Sequence, residues 1–343
     1  MTVTIRRDAM QRHDYTEVNL AEVAHIGELT RNTDASPLAN PQARREFDRA
    51  PVLPAELRFL SPNYNELDVV LSPTDRSLWC YMNPKGPPSF TKGMLADLIA
   101  LRKSVQDFFA TNRANGEAIQ YFVGASRIPG IYNLGGDLGF FLDCIRDGNR
   151  EGLRRYAHDC VNVAYHMWTG FDLPIQTIAL VQGDALGGGF EGALSFNVII
   201  AERSAKFGLP EILFNLFPGM GASSFLSRKL NPVQAEKMIL SGEIFSAQQL
   251  FDMGLIDVLC EDGEGEAAVR KYISENSRRH AVHHALSRIR RRVMPLTLEE
   301  LKDVTDIWVD TALQLTPMEQ RRMQRLMTAQ HRRLGEIAES QAL

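Results

Sequence analysis

Apolar and polar positions change rhythm several times along this chain, and each change predicts an element. LDVVL at 67–71 and SLWCYM at 77–82 are short β-prone runs separated by SPTDR, the pattern of a hairpin. Over 91–110 the period lengthens. Met94, Leu95, Leu98, Ile99, Leu101, Val105 and Phe108 recur at helical spacing, which predicts an amphipathic helix lying on the sheet. A β run at 118–123 leads to a turn, LGGDL at 134–138, then to a long helix over 151–169 with Tyr156, Val161 and Ala164 near one face. Pro174 ends that helix, and a buried strand at 175–181 delivers the chain to a glycine triplet at 187–189. A helix is predicted over 190–196, and another at 212–216 after Pro210. Ser246 and Gln249 have the spacing of a capping box opening one more helix, and a last strand is expected near 254–259. Residues 265–340 read as helical throughout. Val282, Ala285, Leu286, Ile289 and Val293 form one apolar stripe there, and Leu301, Val304, Ile307, Trp308 and Leu313 a second. Strands alternating with helices indicate an α/β fold.

Composition narrows the class. A chain of 343 residues with 44% hydrophobic side chains is able to bury a full core. A net charge of −4 gives no overall attraction to nucleic acid or to an anionic membrane. Cys80, Cys144, Cys160 and Cys260 are far apart, which predicts neither a disulfide framework nor a metal site. The N-terminus lacks the apolar core of a signal peptide, and no run approaches the roughly 20 apolar residues of a membrane span. A cytoplasmic protein is expected. Residues 1–60 read as an N-terminal extension, partly flexible, with a short helix at 21–29 and a polar loop, TDASPLANPQ, at 33–42. Residues 61–262 then form a core, and 263–343 a C-terminal helical region.

Candidate chemistry centres on ALGGGFEGALSFNVIIAERSAKFGLPE, 185–211. Three glycines let the backbone turn sharply and present bare N–H groups to a ligand, which suits a developing negative charge. Glu191 lies in the first turn of the following helix, and Glu211 stands twenty positions later at the start of the next. Both carboxylates are able to face one cavity. Each piece also has a plain reading: a glycine turn is often only a turn, and a glutamate in a first helical turn often only partners the dipole. Asp137 reads as a helix N-cap rather than a catalytic group. His166 reads as a core residue. The cluster Arg278, Arg279, His280, Arg288, Arg290, Arg291 and Arg292 reads as a solvated face, with a landing patch for an anionic carrier as the functional alternative.

The order of the pieces decides between these readings. ALVQGDALGGGFE, NVIIAE, FGLPEI and FPGMGA resemble the core of the enoyl-CoA hydratase/isomerase (crotonase) superfamily, and LGGDL resembles its second glycine signature. The resemblance implies a spiral of β-β-α units, with C-terminal helices that cover the site and build a homotrimer or a dimer of trimers. It implies Glu191 and Glu211 as catalytic acid and base, with the N–H groups of Leu134 and Gly188 as the oxyanion hole. Gly135, Gly136 and Gly187 would contact substrate. The pattern departs from ordinary hydratases at Asn197, where an Asp is common, and at Phe190, where a small residue is common.

GLPEILFNLFPGMGA, DVTDIWVDTALQL and MQRLMTAQHRR further resemble the diffusible signal factor synthase branch. That branch implies dehydration of a 3-hydroxyacyl carrier-protein thioester to the cis-2-enoyl thioester, and hydrolysis to a free cis-2-unsaturated fatty acid used in quorum sensing. No cofactor is implied beyond the phosphopantetheine of acyl carrier protein or CoA that carries the substrate, no metal is expected, and a sensor kinase is a possible partner. The alternatives are a CoA-dependent enoyl hydratase or isomerase and a non-catalytic regulatory binding protein on the same scaffold.

Overall fold

The hairpin read from the first two apolar runs is the edge of a six-stranded sheet. In the computed structural model, which describes residues 64–111 and 119–341, β1 (Leu67–Ser72) pairs antiparallel with β2 (Ser77–Met82). The described residues belong to one compact unit, and the features expected at 21–29 and 33–42 lie outside them. α1 (Lys92–Thr111) follows, and then β3 (Tyr121–Ser126) and β4 (Gly130–Asn133). α2 (Leu138–Arg146) and α3 (Arg150–Thr169) lead to β5 (Gln176–Val181), β6 (Gly183–Leu186) and the short α4 (Gly188–Leu194). β7 (Val198–Glu202) and β8 (Lys206–Gly208) precede a single 3₁₀ turn, Pro210–Phe214, where a helix was expected further along.

The strand pairs explain the spiral. β3, β5 and β7 join the first sheet, ordered β1-β2-β3-β5-β7-β10, whereas β4, β6 and β8 join a second sheet, ordered β4-β6-β8-β9. Each repeat thus places one strand in each sheet before its helix, and the observed fold is the mixed α/β architecture expected. β9 (Ile244–Ser246) and β10 (Val258–Cys260) close the two sheets. Between and around them lie α5 (Ala222–Lys229), α6 (Pro232–Ser241) and α7 (Ala247–Asp252), the last opened by the Ser246–Gln249 capping box.

β2 is buried on both faces because two cores meet it. Leu78, Cys80 and Met82 belong to the large cluster shared with α1 and α3. Trp79 and Tyr81 point into a smaller cluster with Val269 and Ile273 of α8 (Gly265–Asn276). A strand covered on two sides is apolar at nearly every position rather than alternating, as SLWCYM is.

The C-terminal region contains α9 (His280–Val293), α10 (Leu298–Ala312) and α11 (Pro317–Gln341). α10 is clamped to α3: Arg154 and His158 both reach Asp306, at 2.9 and 2.7 Å. Its buried face is Leu301, Thr305, Trp308, Val309 and Ala312, so Ile307, expected in that stripe, is instead 61% exposed. The stripe on α9 is also unpacked among the described residues. Val282, Leu286, Ile289 and Val293 are all exposed. His280, by contrast, is buried, with Nε2 3.0 Å from the Gln120 carbonyl and its ring against Tyr121.

Asn197 acts in the fold rather than in chemistry. Its Oδ1 accepts from the Thr177 N–H at 3.1 Å, its Nδ2 donates to the Trp168 carbonyl at 3.3 Å, and its own N–H donates to Thr177 Oγ1 at 3.0 Å. Asn197→Asp removes the donor and sets a carboxylate against that carbonyl. A loss of about 1–3 kcal/mol is expected, measured by chemical denaturation; an unchanged midpoint would refute the role.

Candidate active site

Two glycine turns are pressed against each other at the centre of the molecule. Gly187, at φ 53°, ends β6 and opens α4, and Gly135, at φ 100°, ends the turn after β4. Both backbones lie in the left-handed region that favours glycine. A Cβ at Gly135 would stand 2.9 Å from the Gly188 nitrogen, and one at Gly188 would stand 3.3 Å from Gly135 Cα and 3.4 Å from the Gly136 nitrogen. At Gly189 a Cβ would collide with the Asn133 carbonyl oxygen. The triplet is therefore needed for close approach as well as for turning.

This geometry corrects one expected donor. The Leu134 N–H donates to the Pro88 carbonyl at 2.8 Å, so it is not free for a ligand, although the Leu134 side chain does line the cavity. The N–H lying beside Gly188 is that of Gly136. Among the described residues neither the Gly136 nor the Gly188 N–H has an acceptor. The amide without an acceptor comes two positions later, because the Leu134 amide ties the turn to the segment before α1 and the Gly135 N–H donates to Asn133 Oδ1 at 2.8 Å.

The turn is held from three sides. Phe90 N–H donates to the Gly135 carbonyl at 2.8 Å, and the Tyr156 hydroxyl on α3 donates to the Phe90 carbonyl and accepts from the Asp137 N–H at 3.1 Å. Asp137 itself caps α2 by accepting from the Phe140 N–H at 3.0 Å, as its position predicted. Gln330 on α11 donates to the Leu134 carbonyl at 3.3 Å.

Glu191 and Glu211 face the same cavity, about 630 Å³, with Gly135, Gly136, Gly187 and Gly188 in its wall. Leu138 and Phe141 of α2, Trp308 of α10 and Leu326 of α11 supply its apolar sides. Residues of both C-terminal helices thus cover the site, which the periodicity of those helices alone did not reveal. None of the arginine cluster on and before α9 lines it. His166 is likewise outside; its Nδ1 lies 3.8 Å from Asp172 Oδ2 with no hydrogen bond.

The two glutamates have unlike surroundings. Glu191 Oε1 accepts from the Met220 N–H at 2.7 Å and the Ala222 N–H at 2.9 Å. Burial raises its carboxyl above the ordinary range, and those N–H groups, with that of Gly221, act in the opposite direction by favouring the charged form. At Glu211 only its own backbone N–H acts in that direction. Its Oε2 is buried without a partner, and burial first and the neighbouring Glu191 charge second push its carboxyl well above the ordinary value of 4.5. Of the two, Glu191 has the surroundings that better favour the charged form, and Glu211 those that push harder toward the neutral form. Phe190, between the glycines and Glu191, is fully buried against Phe207, with ring centroids 5.3 Å apart, and fills core rather than cavity.

A family model described as enoyl-CoA hydratase/isomerase matches residues 134–329, a span that contains both glycine turns and both glutamates. The chain belongs to the enoyl-CoA hydratase/isomerase family. It is 35% identical over 160 residues to the 2,3-dehydroadipyl-CoA hydratase of Escherichia coli K12, covering 46% of this chain and 56% of that protein. To the mitochondrial methylglutaconyl-CoA hydratase of Rattus norvegicus it is 34% identical over 158 residues, covering 43% and 44%. The chain thus spans about half the length of the curated relatives it matches. Solved structures share the crotonase fold over more of the chain. The enoyl-CoA hydratase of Bacillus halodurans superposes with a TM-score of 0.63 at 22% identity, over 76% of this chain and 100% of that one. Pseudomonas aeruginosa DspI superposes with a TM-score of 0.57 at 22% identity, over 78% and 98%. Among the described residues of this crotonase-family chain no helix is long and apolar enough to cross a membrane, and no cluster of His, Cys, Asp or Glu is able to hold a metal ion.

The Glu211 environment has a consequence for stability. A carboxyl whose folded-state pKa is raised contributes stability that is complete below 4.5, the ordinary value, and is lost as pH rises through the folded value. Glu211→Gln keeps the shape and removes that loss. The melting temperature of the variant relative to the native protein is expected to rise as pH is taken from 4.5 to the alkaline side. A difference that is constant with pH, or that shrinks, would contradict a buried protonated Glu211.

Proposed function

We propose that this protein removes water from a 3-hydroxyacyl thioester, or adds it to the 2-enoyl thioester, at the glutamate pair. The observation that carries the reading is the asymmetry of the pair beside two unoccupied backbone N–H groups. The Gly136 and Gly188 N–H groups bind the thioester oxygen. The Glu191 carboxylate takes the α-proton, and the electron pair of that C–H bond flows toward the carbonyl, placing negative charge on the oxygen. A preformed donor at such an oxygen contributes about 3–4 kcal/mol in comparable sites. The carbon–oxygen bond at Cβ then breaks as Glu211 gives its proton to the departing hydroxyl, and water leaves. One carboxyl is needed charged and the other neutral at the same pH, which is the state their surroundings favour.

The finer reading is that the substrate is carried on acyl carrier protein, that the product double bond is cis, and that the same cavity then hydrolyses the thioester to release a cis-2-unsaturated fatty acid signal. Its support is the resemblance of GLPEILFNLFPGMGA and the two C-terminal segments to signal synthases. Chemically, one oxyanion hole serves both the enolate and the tetrahedral intermediate of hydrolysis. The two curated relatives named above are CoA hydratases, which supports the simpler CoA-dependent reading. A non-catalytic scaffold has the least support, since it gives no reason for burying two carboxylates at paired amides. The apolar stripe exposed on α9 supports assembly with further copies of the chain.

Mass spectrometry after incubation with 3-hydroxyacyl thioesters of carrier protein and of CoA separates these readings. Free cis-2-enoic acid is the result expected of a signal synthase, an enoyl thioester alone that of a hydratase, and no turnover of either supports the scaffold. Glu191→Gln and Glu211→Gln are each expected to lower kcat by at least about a hundredfold, within the range for a general acid or base. The pH profile of kcat/KM is expected to be a bell with both limbs above 4.5, rising as Glu191 ionises and falling as Glu211 does. A profile whose acid limb lies at the ordinary carboxylate value would reject the assignment of the pair.

A further inference from the structure

Along the first glycine turn every backbone N–H from Leu134 to Asp137 but one is spent. That of Leu134 goes to the Pro88 carbonyl at 2.8 Å, that of Gly135 to Asn133 Oδ1 at 2.8 Å, and that of Asp137 to the Tyr156 hydroxyl at 3.1 Å. The Gly136 N–H has no acceptor among the described residues. Its direction is decided by the other end of its own peptide group. In a trans peptide the C=O and the following N–H point in opposite directions, and the Gly135 carbonyl accepts from the Phe90 N–H at 2.8 Å. The Gly136 N–H therefore faces away from Phe90. Gly188 lies beside that nitrogen, and both glycines line the cavity.

Phe90 is thus the reference against which this donor is set, and Tyr156 of α3 holds Phe90. Phe90 and Gly136 form an isolated parallel bridge. The Tyr156 hydroxyl donates to the Phe90 carbonyl and accepts from the Asp137 N–H, so one oxygen joins the segment before α1 to the residue that follows Gly136. Burial raises this hydroxyl well above its ordinary value of 10.0, which keeps the proton in place for donation. Tyr156 lines the cavity, yet its one hydrogen is committed to a carbonyl and is not free for a ligand. Its ring stands edge-on to Phe141, with centroids 5.3 Å apart, and Phe141 packs so closely on Gly136 that a Cβ there would come 2.3 Å from the ring. From α11, Gln330 donates to the Leu134 carbonyl at 3.3 Å and steadies the same turn.

We propose that Tyr156 is a positioning residue for the oxyanion hole: its hydroxyl fixes the plane of the Gly135–Gly136 peptide, with Gln330 as a second hold, and so aims the Gly136 N–H at the substrate oxygen. The inference rests on the thioester reading above and adds to it a residue that acts only through the backbone. A loosened plane leaves the amide present but misaligned when charge develops, so the cost falls on the transition state.

The test is Tyr156→Phe, which keeps the ring against Phe141 and removes only the hydroxyl. The deciding readout is the infrared carbonyl stretch of a saturated acyl thioester, isotope-labelled at the carbonyl carbon and offered on CoA and on carrier protein. Two donors lower that frequency in the native protein relative to the thioester in water, and the variant is expected to lose about half of the lowering, the share of one donor of the pair. For the 3-hydroxyacyl thioester, kcat and kcat/KM are expected to fall together by about tenfold to a hundredfold, the mark of an interaction made in the transition state. Both limbs of the pH profile stay in place, because neither glutamate is touched. A variant that keeps the native carbonyl frequency overturns the proposal, whatever its rate. Where Tyr156→Phe does not fold, Gln330→Met must lose part of the same lowering, and a native frequency there overturns the proposal equally. The two levels of inference fail differently. A native protein that binds neither carrier form, or leaves the bound carbonyl where it is in water, refutes the thioester reading and the positioning with it, whereas a lowering that the variant preserves refutes the positioning alone.

Discussion

The rest of the structure depends on the contact between the turn at Gly135 and the turn at Gly188. These come from different repeats of the spiral, and their backbones approach so closely that a side chain on either would push them apart. That approach brings side by side two N–H groups that have no acceptor among the described residues, and leaves a cavity beneath them. It also explains why so much of the surrounding polar bonding holds the first turn still: Pro88, Phe90, Tyr156 and Gln330 all bond to it, and none is near it in the chain.

Burying two carboxyl groups in one cavity is unfavourable unless one gives up its charge. The fold resolves this asymmetrically. The loop leading into α5 supplies N–H donors to Glu191 only, and Glu211, on a single 3₁₀ turn, is left with one oxygen unpartnered. The inequality that makes the pair tolerable in the core also suits acid–base chemistry, in which two like groups must hold different protonation states. Gly187 belongs to the same arrangement, because a Cβ there would meet Glu211 Oε1 at 2.6 Å.

Positions that depart from the common hydratase pattern are explained by packing. Phe190 fills core against Phe207, and Asn197 joins the start of β5 to the end of α3. Neither reaches the cavity. The C-terminal helices divide their work: α10 and α11 send Trp308, Leu326 and Gln330 into the site, whereas α9 keeps its apolar stripe outside.

The sequence alone determined most helices and most strands of the first sheet, because hydrophobic period, capping residues and glycine turns are local; the short strands of the second sheet and the 3₁₀ turn at Pro210–Phe214 were not read from it. The hairpin, α1, α3, the Asp137 N-cap and the Ser246–Gln249 box were all legible for that reason. Glu191 and Glu211 were legible as a pair because each is fixed to a local signature, the glycine triplet and the Pro-Glu turn. Which amide beside Gly188 is free was not legible, since it depends on whether Pro88, 46 positions before Leu134, accepts the Leu134 N–H. Nor was the difference in surroundings between the glutamates, since the donors to Glu191 lie 29 and 31 positions away. The stripes on α9 and α10 have the same helical period, and only packing against α2 and α3 turned one inward and left the other in solvent. Period gives a residue its face; what that face meets is a property of distant parts of the chain, and tertiary structure alone decides it.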